Sequence, residues 1–339
     1  MVLIKQASDQ AILEAAAILK AGGLVALPTE TIYGLGANAL DGVAVAKIFV
    51  AKGRPSFNPL IVHVPDIESA ALLVEMNETS RAVMNKFWPG PLTIILPRRP
   101  GCAVSDLCSA GLPTLAVRVP AHPAALKLLK AAGVPVAAPS ANKSGSISPT
   151  TPQHVLESLG DAVDFILAAG PSSVGVESTV LDLSGAKPLI LRPGAVTAED
   201  LHPILGPVAY DLGDHGHDVK SPGQLLKHYA PSIPMRLNAV DVEEGEALLA
   251  FGSLKFMGMK GGGFAKDLPA ERLRNLSDTG DLYEAAANLF RLMRELDKPA
   301  HARIAVMNVP NQGIGIAIND RLKRAAAGSV IPHNKQGTQ

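Results

Sequence analysis

The sequence lacks the short motifs by which several large enzyme classes are identified. It has no Walker P-loop and no G-x-S-x-G nucleophile motif, and its nine histidines show no HExxH or other metal-binding spacing. Gly313–Ile318 is a poor match to a dinucleotide-binding fingerprint, because isoleucine stands where the third glycine is required. The sequence therefore argues against a P-loop nucleotidase, a serine hydrolase of that type and a zinc hydrolase, and we predict no metal site made of protein ligands.

Charge excess, cysteine and long apolar runs are also missing. Lys+Arg and Asp+Glu both number 31, so the formal net charge is zero, whereas a dedicated nucleic-acid binder usually has a basic excess. Cys102 and Cys108 fit no zinc-finger or disulfide framework. The N-terminus has no signal-peptide layout, and no apolar run reaches the ~18 residues of a transmembrane helix. We therefore expect a cytoplasmic protein without a membrane segment.

The order of the hydrophobic patterns indicates two α/β domains. A chain of 339 residues, 47% of them hydrophobic and 4% aromatic, is long enough for two cores built mainly from aliphatic side chains. Strand and helix patterns are mixed through residue 205, which predicts an α/β domain over residues 1–205. Residues 206–238 are rich in Gly, Pro, His and Asp and read as a linker or lid, and residues 239–339 read as a smaller α/β domain.

The individual elements follow from caps and periodicity. The predicted helices include Ala11–Leu19, Asp41–Lys52, Ser80–Phe87, Pro123–Ala132 and Leu282–Leu296. The predicted strands include Leu24–Leu27, Leu60–Val64, Thr93–Leu96, Thr114–Val119, Val134–Ala138, Phe165–Leu167, Ser178–Leu183, Leu189–Arg192, Ala247–Phe251 and Arg303–Val309.

The stretch from Pro28 to His63 carries the most chemistry. It begins with hydroxyl-bearing and small residues, and then places Lys52 and Arg54 in a Gly/Pro turn. Hydroxyls and fixed positive charge are what a phosphorylated ligand needs. For Lys52 alone, a lysine that complements the helix dipole before a glycine cap is the simpler interpretation. With Arg54, Asn58 and His63 added, the stretch fits a phosphate or carboxylate site as well as it fits that cap.

A second polar stretch, Ser140–Ser148, directly follows the predicted strand Val134–Ala138. Ligands of open α/β sheets gather beyond the carboxyl ends of strands, where hydroxyls and amides can bind phosphate oxygens or a base. Serine, asparagine and glycine are also common in solvated turns. Taken alone, this stretch is better explained as such a turn.

Three charged residues at or near strand ends extend the pattern. Alternation along Thr114–Val119 places Arg118 on the face of the small residues, where it can grip a carboxylate, although a surface ion pair explains it equally well. Glu177 and Arg192 lie at the ends of two later predicted strands. Glu177 suits a base or a water-mediated Mg²⁺ ligand, but a surface carboxylate is the simpler interpretation.

Taken in order, these segments resemble the Sua5/YrdC/YwlC family of L-threonylcarbamoyladenylate synthases, in its longer, two-domain Sua5 form. The similar segments are PTETIYGLGANA (Pro28–Ala39), KGRPSFNPLIVHV (Lys52–Val64), WPGPLT (Trp88–Thr93), TLAVRVP (Thr114–Pro120), APSANKSGSISPT (Ala138–Thr150), ESTVLDL (Glu177–Leu183), LRPGA (Leu191–Ala195), SPGQLLKHYAP (Ser221–Pro231) and GIGIAINDRLKRAA (Gly313–Ala326). The resemblance covers nearly the whole chain. It implies a YrdC-like twisted mixed-sheet α/β domain followed by a smaller Rossmann-like α/β/α domain.

The resemblance also implies an activity. The enzyme would be a nucleotidyltransferase that forms threonylcarbamoyl-AMP and pyrophosphate from L-threonine, bicarbonate and ATP, with Mg²⁺ accompanying the ATP. The t6A transferase machinery would then carry the threonylcarbamoyl group to tRNA, which makes tRNA an indirect end target.

The same resemblance implies roles for individual residues. The catalytic set would be Lys52, Arg54, Ser140 and Asn142. The threonine site would comprise Thr31, His63, Arg118, Ala138 and Ser178. The ATP site would comprise Lys52, Arg54, Asn58, Thr114, Ser140, Ser148, Arg192 and Tyr229, with Tyr229 of the linker closing over the site.

Two other functions stay open at this point. One is a nucleic-acid-binding module for double-stranded RNA, against which the zero net charge and the lack of aromatic stacking motifs both count. The other is a carbamoyl-adenylate enzyme of the hydrogenase-maturation kind, whose zinc fingers need more cysteines than the two in this sequence.

Overall fold

The computed structural model describes residues 2–213, 228–255 and 257–329. Part of the predicted linker, 214–227, and the end of the predicted C-terminal domain, 330–339, lie outside the described residues. The α-helices are α1 Asp9–Lys20, α2 Gly42–Lys52, α3 Ile67–Ala71, α4 Glu78–Phe87, α5 Asp106–Ser109, α6 Pro123–Ala132, α7 Pro152–Leu159, α8 Ala198–Leu205, α9 Leu282–Leu296 and α10 Gly315–Gly328. The strands are β1 Leu3–Gln6, β2 Val25–Leu27, β3 Gly34–Asn38, β4 Ile61–His63, β5 Leu92–Pro97, β6 Thr114–Arg118, β7 Val136–Ala137, β8 Phe165–Ala168, β9 Thr179–Asp182, β10 Leu189–Arg192, β11 Ala209–Tyr210, β12 Met235–Arg236, β13 Asp241–Val242, β14 Ala247–Ala250, β15 Gly258–Met259, β16 Leu273–Asn275 and β17 Ile304–Val306.

Strands β1 to β11 form one mixed sheet. Their order is β1-β8-β2-β3-β7-β4-β6-β5-β9-β10-β11, with parallel and antiparallel neighbours in equal number. Helices α1 and α6 cover one face of the sheet, where they bury Val25 and Leu27. Ala26, between those two residues, belongs to the larger core on the opposite face, which includes residues of α2 and α4. The strand alternation thus divides the first domain into two apolar layers around the sheet.

The predicted helix caps set several of these boundaries. Asp41 accepts hydrogen bonds from the backbone N–H groups of Val43 and Ala44 and so begins α2. Gly53 ends the same helix in the left-handed region, with φ of 60°. Helices α6 and α9 have the predicted bounds. Cap residues determine these ends locally, which is why the sequence was sufficient to predict them.

Strand β3 was not predicted, although it lies in the middle of the sheet. It pairs with β2 and β7, but its sequence Gly-Leu-Gly-Ala-Asn has no β-branched residue to indicate a strand. The small residues serve packing, since a Cβ on Gly36 would lie 2.9 Å from both Leu27 and Val136. The close approach of neighbouring side chains selects glycine here, and that requirement is visible only in three dimensions.

The C-terminal domain is built on a smaller, parallel sheet of order β12-β17-β14-β16. Helices α9 and α10 pack on one face of it. The other face is covered by the short β13–β15 pair and by turns around Ala265 and Leu268. The prediction of an α/β fold, with a mixed-sheet domain and a smaller C-terminal domain, is confirmed. The domain boundaries at residues 205 and 238 remain predictions.

The two domains approach each other closely at Gly175. This glycine has φ of +78°, and a Cβ placed on it would lie 2.4 Å from both Ala286 O and Ala287 Cα of α9. The side chain of Arg294, also in α9, donates a hydrogen bond to the backbone carbonyl of Ile147 in the first domain. Helix α9 therefore packs directly on the backbone of the first domain. Within the described residues, no helix is long and apolar enough to cross a membrane.

We predict that Gly175→Ala weakens this domain contact. The backbone at this position has a positive φ that alanine rarely adopts, and the added methyl group would overlap the backbone of α9. We therefore expect a loss on the order of 1–3 kcal/mol in the free energy of unfolding. The measurement is the shift of the urea midpoint of the full chain. Gly185→Ala is the control, because its Cβ would meet nothing within 4 Å. Equal midpoints for the two variants would contradict the close approach.

Candidate active site

A small cavity lies where the ends of several strands of the large sheet meet the linker. It has a volume of about 40 Å³. The residues that line it are Thr29, Thr31, Ile32, Gly34, Arg54, Ile61, His63, Arg118, Ala138, Pro139, Ser140, Glu177, Ser178, Arg192, His228 and Tyr229. His63, Arg118 and Arg192 are the last residues of β4, β6 and β10, and His63 and Arg118 are neighbours in the parallel register. The cavity thus opens beyond the carboxyl ends of three strands, as ligand sites of α/β sheets do.

Lys52 connects the two polar stretches that the sequence analysis singled out. Its ammonium donates hydrogen bonds of 2.5 Å to the backbone carbonyls of both Ser140 and Asn142. The side chain is 2% exposed. Burial, assisted by the positive charge of Arg54, lowers the pKa of Lys52 well below its ordinary value. Lys52 therefore lies in the last turn of α2 and also connects the two polar stretches, and its binding role stays a prediction.

Arg54 is fixed by the turn that follows α2. Its guanidinium donates to the backbone carbonyls of Asn58 at 3.3 Å and Pro59 at 2.8 Å. Burial and the charge of Arg192 lower the pKa of Arg54 to about 9, so the guanidinium remains protonated at neutral pH. The side-chain oxygen of Asn58 is buried without a partner among the described residues. Both side chains therefore retain capacity for a ligand.

Arg118 forms a buried ion pair with Glu30. The distance from Arg118 Nη2 to Glu30 Oε1 is 2.6 Å, and the side chains are 4% and 9% exposed. Arg118 also donates to the carbonyl of Gly90 at 3.3 Å. The surface ion pair that the sequence also allowed for Arg118 is wrong, because strand β6 lies inside the sheet and directs its end into the cavity.

His63 is neutral beside this arginine. Its Nδ1 lies 3.2 Å from the carbonyl of Ile61, and the ring also contacts the backbone of Val136. Burial and the charge of Arg118 lower the pKa of His63 to about 3. The imidazole thus contributes a hydrogen-bonding ring to the cavity and adds no charge.

Arg192 and Ser178 form the next part of the wall. Arg192 Nε donates to the carbonyl of Ser178 at 3.0 Å, and Nη2 donates to its hydroxyl at 3.1 Å. The hydroxyl also lies 2.8 Å from that of Thr93. All three side chains are buried. The contacts fix Ser178 at the cavity and hold a third guanidinium next to Arg54 and Arg118.

Glu177 was expected to be a surface carboxylate, and that expectation is wrong. The residue is 5% exposed, since the C-terminal domain covers it. Its Oε1 accepts a 2.5 Å hydrogen bond from Ser148 Oγ, and its Oε2 lies 2.9 Å from Nε of Arg321 in α10. Burial alone raises the pKa of Glu177, but the charges of Arg321 and Arg192 and the hydrogen bond from Ser148 offset this and hold it below its ordinary value. Glu177 is therefore an ionised carboxylate in the cavity wall.

Tyr229 closes the cavity from the side of the linker. It is 1% exposed and has φ of 63°, a region that residues other than glycine seldom occupy. Its ring stacks on Phe290 of α9 with centroids 5.5 Å apart. The next residue, Ala230, donates a backbone hydrogen bond to Gly145. Contacts with both domains thus fix Tyr229 in a strained backbone conformation.

The cavity wall is strongly positive. Among the described residues that line it, three arginines face one carboxylate, Glu177, and Lys52 lies directly behind Ser140. Buried oxygens of Asn58 and Asn142 lack partners among the described residues. The described residues contain no group of three or more His, Cys, Asp or Glu side chains that could hold a metal ion. This arrangement favours a ligand with several negative charges and some hydrogen-bond donors.

The structure brings most of the predicted site residues together. Those that line the cavity are Thr31, Arg54, His63, Ala138, Arg118, Ser140, Ser178, Arg192 and Tyr229. Lys52, Asn58, Asn142 and Ser148 are buried behind them and contact lining residues or their neighbours. Thr114 is not brought to the cavity: it begins β6, four residues before Arg118 and therefore roughly 13 Å from it.

Sequence reasoning missed two partners of these residues. Glu30 lies within the stretch that was recognised, and the alternation of carboxylate and hydroxyls there is a signal that could have identified it. Arg321 had no such signal, because a charged residue in a helix is normally solvent-exposed. Its role depends on the docking of the C-terminal domain.

Two family models cover the chain. The one described as "Telomere recombination", for the Sua5, YciO and YrdC proteins, matches residues 17–194. The one described as "Threonylcarbamoyl-AMP synthase, C-terminal domain" matches residues 196–327. Together they span both domains of the structure.

Individual relatives agree with these matches. The chain is 40% identical to the threonylcarbamoyl-AMP synthase of Bacillus subtilis, over 96% of this chain and 95% of that one. It is also 40% identical to the threonylcarbamoyl-AMP synthase of Pyrococcus abyssi, over 94% of each. The fold matches the crystal structure of P. abyssi Sua5 complexed with L-threonine with a TM-score of 0.84 and 36% identity, over 98% of this chain and 99% of that one. Because the similarity extends through both domains and nearly the full length of both partners, the chain belongs to the two-domain Sua5-type family of threonylcarbamoyl-AMP synthases.

Proposed function

We propose that the cavity closed by Tyr229 is the site where this enzyme converts L-threonine, bicarbonate and ATP to threonylcarbamoyl-AMP and pyrophosphate. The observation that supports this assignment is the group of buried cations, Lys52, Arg54, Arg118 and Arg192, around one cavity. Like charges in a buried site repel each other unless an anion joins them. The ATP phosphates and the threonine carboxylate are the anions that we expect these cations to bind.

Arg118 is the residue we assign to the threonine carboxylate. A guanidinium can bind a carboxylate through two parallel hydrogen bonds, and the hydrogen bond that Arg118 donates to Glu30 orients its fork. Thr31, His63 and Ser178 surround it in the cavity wall and suit the amine and hydroxyl of the amino acid. Ala138 leaves room for the methyl group.

Lys52, Arg54 and Arg192 are the residues we assign to the ATP phosphates. Asn58, Ser140, Asn142 and Ser148 would provide further polar contacts for the nucleotide, and Tyr229 would close over it. Thr114 is retained only as a more distant contact for the nucleotide, given its place at the far end of β6.

The chemistry follows from these assignments. The amine of threonine adds to bicarbonate, and the products are a carbamate and water. A carbamate oxygen then forms a bond to the α-phosphorus of ATP, the bond from that phosphorus to the bridging oxygen breaks, and pyrophosphate leaves. Nucleophile and phosphate are both anionic, so the main task of the site is to hold them in line and to stabilise the charge that develops on the oxygens. Fixed cations suit that task, and no covalent enzyme intermediate is required.

Magnesium enters this scheme with the nucleotide. Glu177 is the one carboxylate among the described lining residues, and both of its oxygens already have partners. The wall therefore offers no cage of protein ligands, whereas Mg²⁺ commonly binds through substrate phosphates and water. When bound, the ion would add to the charge neutralisation that Lys52 and Arg54 provide.

We infer from the small volume of the cavity that His228 and Tyr229 move aside when substrates enter. Sites for small molecules usually measure ~300–1,000 Å³, and this one measures about 40 Å³. His228 and Tyr229 form the wall on the linker side. Movement of these two residues away from the cavity would admit ATP. Their return would then exclude water from a labile acyl-phosphate product. The t6A transferase machinery, acting on tRNA, is the expected consumer of that product.

Lys52→Ala should lower pyrophosphate release at least ~10-fold, because charge stabilisation in the transition state is lost. The assay follows pyrophosphate with L-threonine and bicarbonate each omitted in turn, and wild-type release should require both. Lys20→Ala is the matched control, since Lys20 also lies in the last turn of a helix but is exposed. Full activity of Lys52→Ala would reduce Lys52 to a helix cap, and release without threonine would contradict the assignment of the reaction.

Arg118→Lys should raise the KM for threonine by roughly 10- to 100-fold, because a hydrogen bond to a charged group contributes about 1.5–3 kcal/mol and lysine cannot form the paired contact. The KM for ATP should change much less. Initial rates measured against each substrate separate the two effects. Arg81→Lys, an exposed ion-paired arginine, serves as the control. Equal increases in both KM values would argue against a threonine-specific role.

Binding of an ATP analogue should take up protons. Burial and Arg54 lower the pKa of Lys52 in the free enzyme, and a phosphate beside the ammonium raises it again, so protons bind in the pH range between the two values. Calorimetric titrations in buffers of different ionisation enthalpy measure this uptake. Lys52→Met should abolish it and Lys20→Met should not. A binding enthalpy that is independent of the buffer in the wild-type protein would contradict this prediction.

A further inference from the structure

Part of the active-site wall is held in place by a residue of the C-terminal domain. Arg321 lies in α10 and is fully buried. Its Nε is 2.9 Å from Oε2 of Glu177, which lines the cavity in the first domain. Its Nη1 is 2.8 Å from Oδ2 of Asp320, and its guanidinium carbon lies 5.4 Å from the centre of the Tyr229 ring. One side chain thus contacts the cavity wall, the linker and its own helix.

The position of Arg321 is not explained by stability alone. Its neighbours on α10, Ala317, Ile318, Leu322 and Ala325, are buried apolar residues of the domain core. Replacing a buried ion pair by apolar residues of similar volume is often neutral or stabilising. The Nη2 of Arg321 is also buried without a partner among the described residues, which adds to the cost of this arrangement. Packing and stability therefore do not account for a charged side chain at this position.

The position of Glu177 explains why a positive charge is needed there. A carboxylate in the wall of a cavity for ATP repels the phosphates unless its charge is compensated. Ser148 and Arg321 each occupy one of its oxygens and hold the carboxylate in one orientation. Without Arg321, Glu177 would keep Ser148 but would lose the ion pair that compensates its charge from the C-terminal side.

We propose that Arg321 is a positioning residue for the reaction, which acts by fixing and neutralising Glu177, so that the active site is complete only when the C-terminal domain is docked. This inference rests on the proposed function of the cavity. It gives the C-terminal domain a direct part in catalysis, in addition to any part in closing the linker over the substrates.

The direct test is a suppressor experiment on the full-length enzyme. Arg321→Leu should lower kcat/KM for ATP by tenfold or more, because an uncompensated carboxylate then faces the phosphates. Glu177→Gln in that background removes the carboxylate charge and keeps an acceptor for Ser148, so the double variant should recover most of the lost kcat/KM. Glu177→Gln also relieves the instability that an unpaired buried carboxylate causes, so the activities are compared under conditions where the urea transitions show every variant to be folded. A double variant no more active than Arg321→Leu overturns the proposal.

The pH dependence gives a second readout. In Arg321→Leu the pKa of Glu177 should rise, because burial is no longer offset by that guanidinium, although Arg192, Lys52, His228 and Tyr229 still face the carboxylate. The defect should therefore shrink as the pH falls and Glu177 becomes protonated, and it should be independent of pH in the double variant. A defect of constant size at every pH would overturn the proposal.

The controls separate this inference from the proposed function. Arg236→Leu breaks a partly buried ion pair with Glu246 inside the C-terminal domain, and it should leave kcat/KM within twofold if the domain stays folded by circular dichroism. If the wild-type protein releases pyrophosphate in a threonine-dependent manner while Arg321→Leu is fully active, only the role of Arg321 fails. If the wild-type protein shows no such release, the proposed function itself fails.

Discussion

The constraint on which the site depends is the burial of three arginines and one lysine around one cavity. Each cation is held by backbone carbonyl oxygens: Lys52 by Ser140 and Asn142, Arg54 by Asn58 and Pro59, Arg118 by Gly90, and Arg192 by Ser178. A carbonyl group fixes the direction of a cation but carries no net charge, so these bonds do not neutralise the positive charge. A site in which every cation was paired with a carboxylate would be more stable without a ligand but would bind phosphates weakly.

The exceptions to this pattern are the two carboxylates. Glu30 orients Arg118, and Glu177 is held by Arg321 from the C-terminal domain. In both pairs the partner of the carboxylate is an arginine that is almost fully buried, so the charges are screened little by solvent. The same region contains the strained backbone of Tyr229 and the glycine contact at Gly175. The contacts that dock the two domains, hold Tyr229 in place and compensate the charge of Glu177 are therefore close to one another.

The parts of the fold that the sequence predicted are those determined by neighbouring residues. Caps such as Asp41 and Gly53 act within one helical turn, and the apolar runs of β4, β6 and β10 need no distant partner to indicate strands. Strand β3 was missed because its small residues satisfy a packing requirement set by β2 and β7. Glu177 was misjudged because its burial depends on a helix that begins more than a hundred residues later in the chain.

The sequence by itself was sufficient to predict the α/β class, the family and most of the residues that meet at the cavity. The reason is that its motifs, taken in order, combine particular residue types with particular spacings along the chain. It left open whether Lys52 caps a helix or serves the site, and whether Arg118 and Glu177 lie at the surface. Only the tertiary structure decided that all three residues are buried, since burial and charge compensation depend on which distant segments come together, and the role of Lys52 in the reaction stays a prediction. The pairing of Glu177 with Arg321 is the clearest case: neither residue is informative until α10 is docked against the first domain.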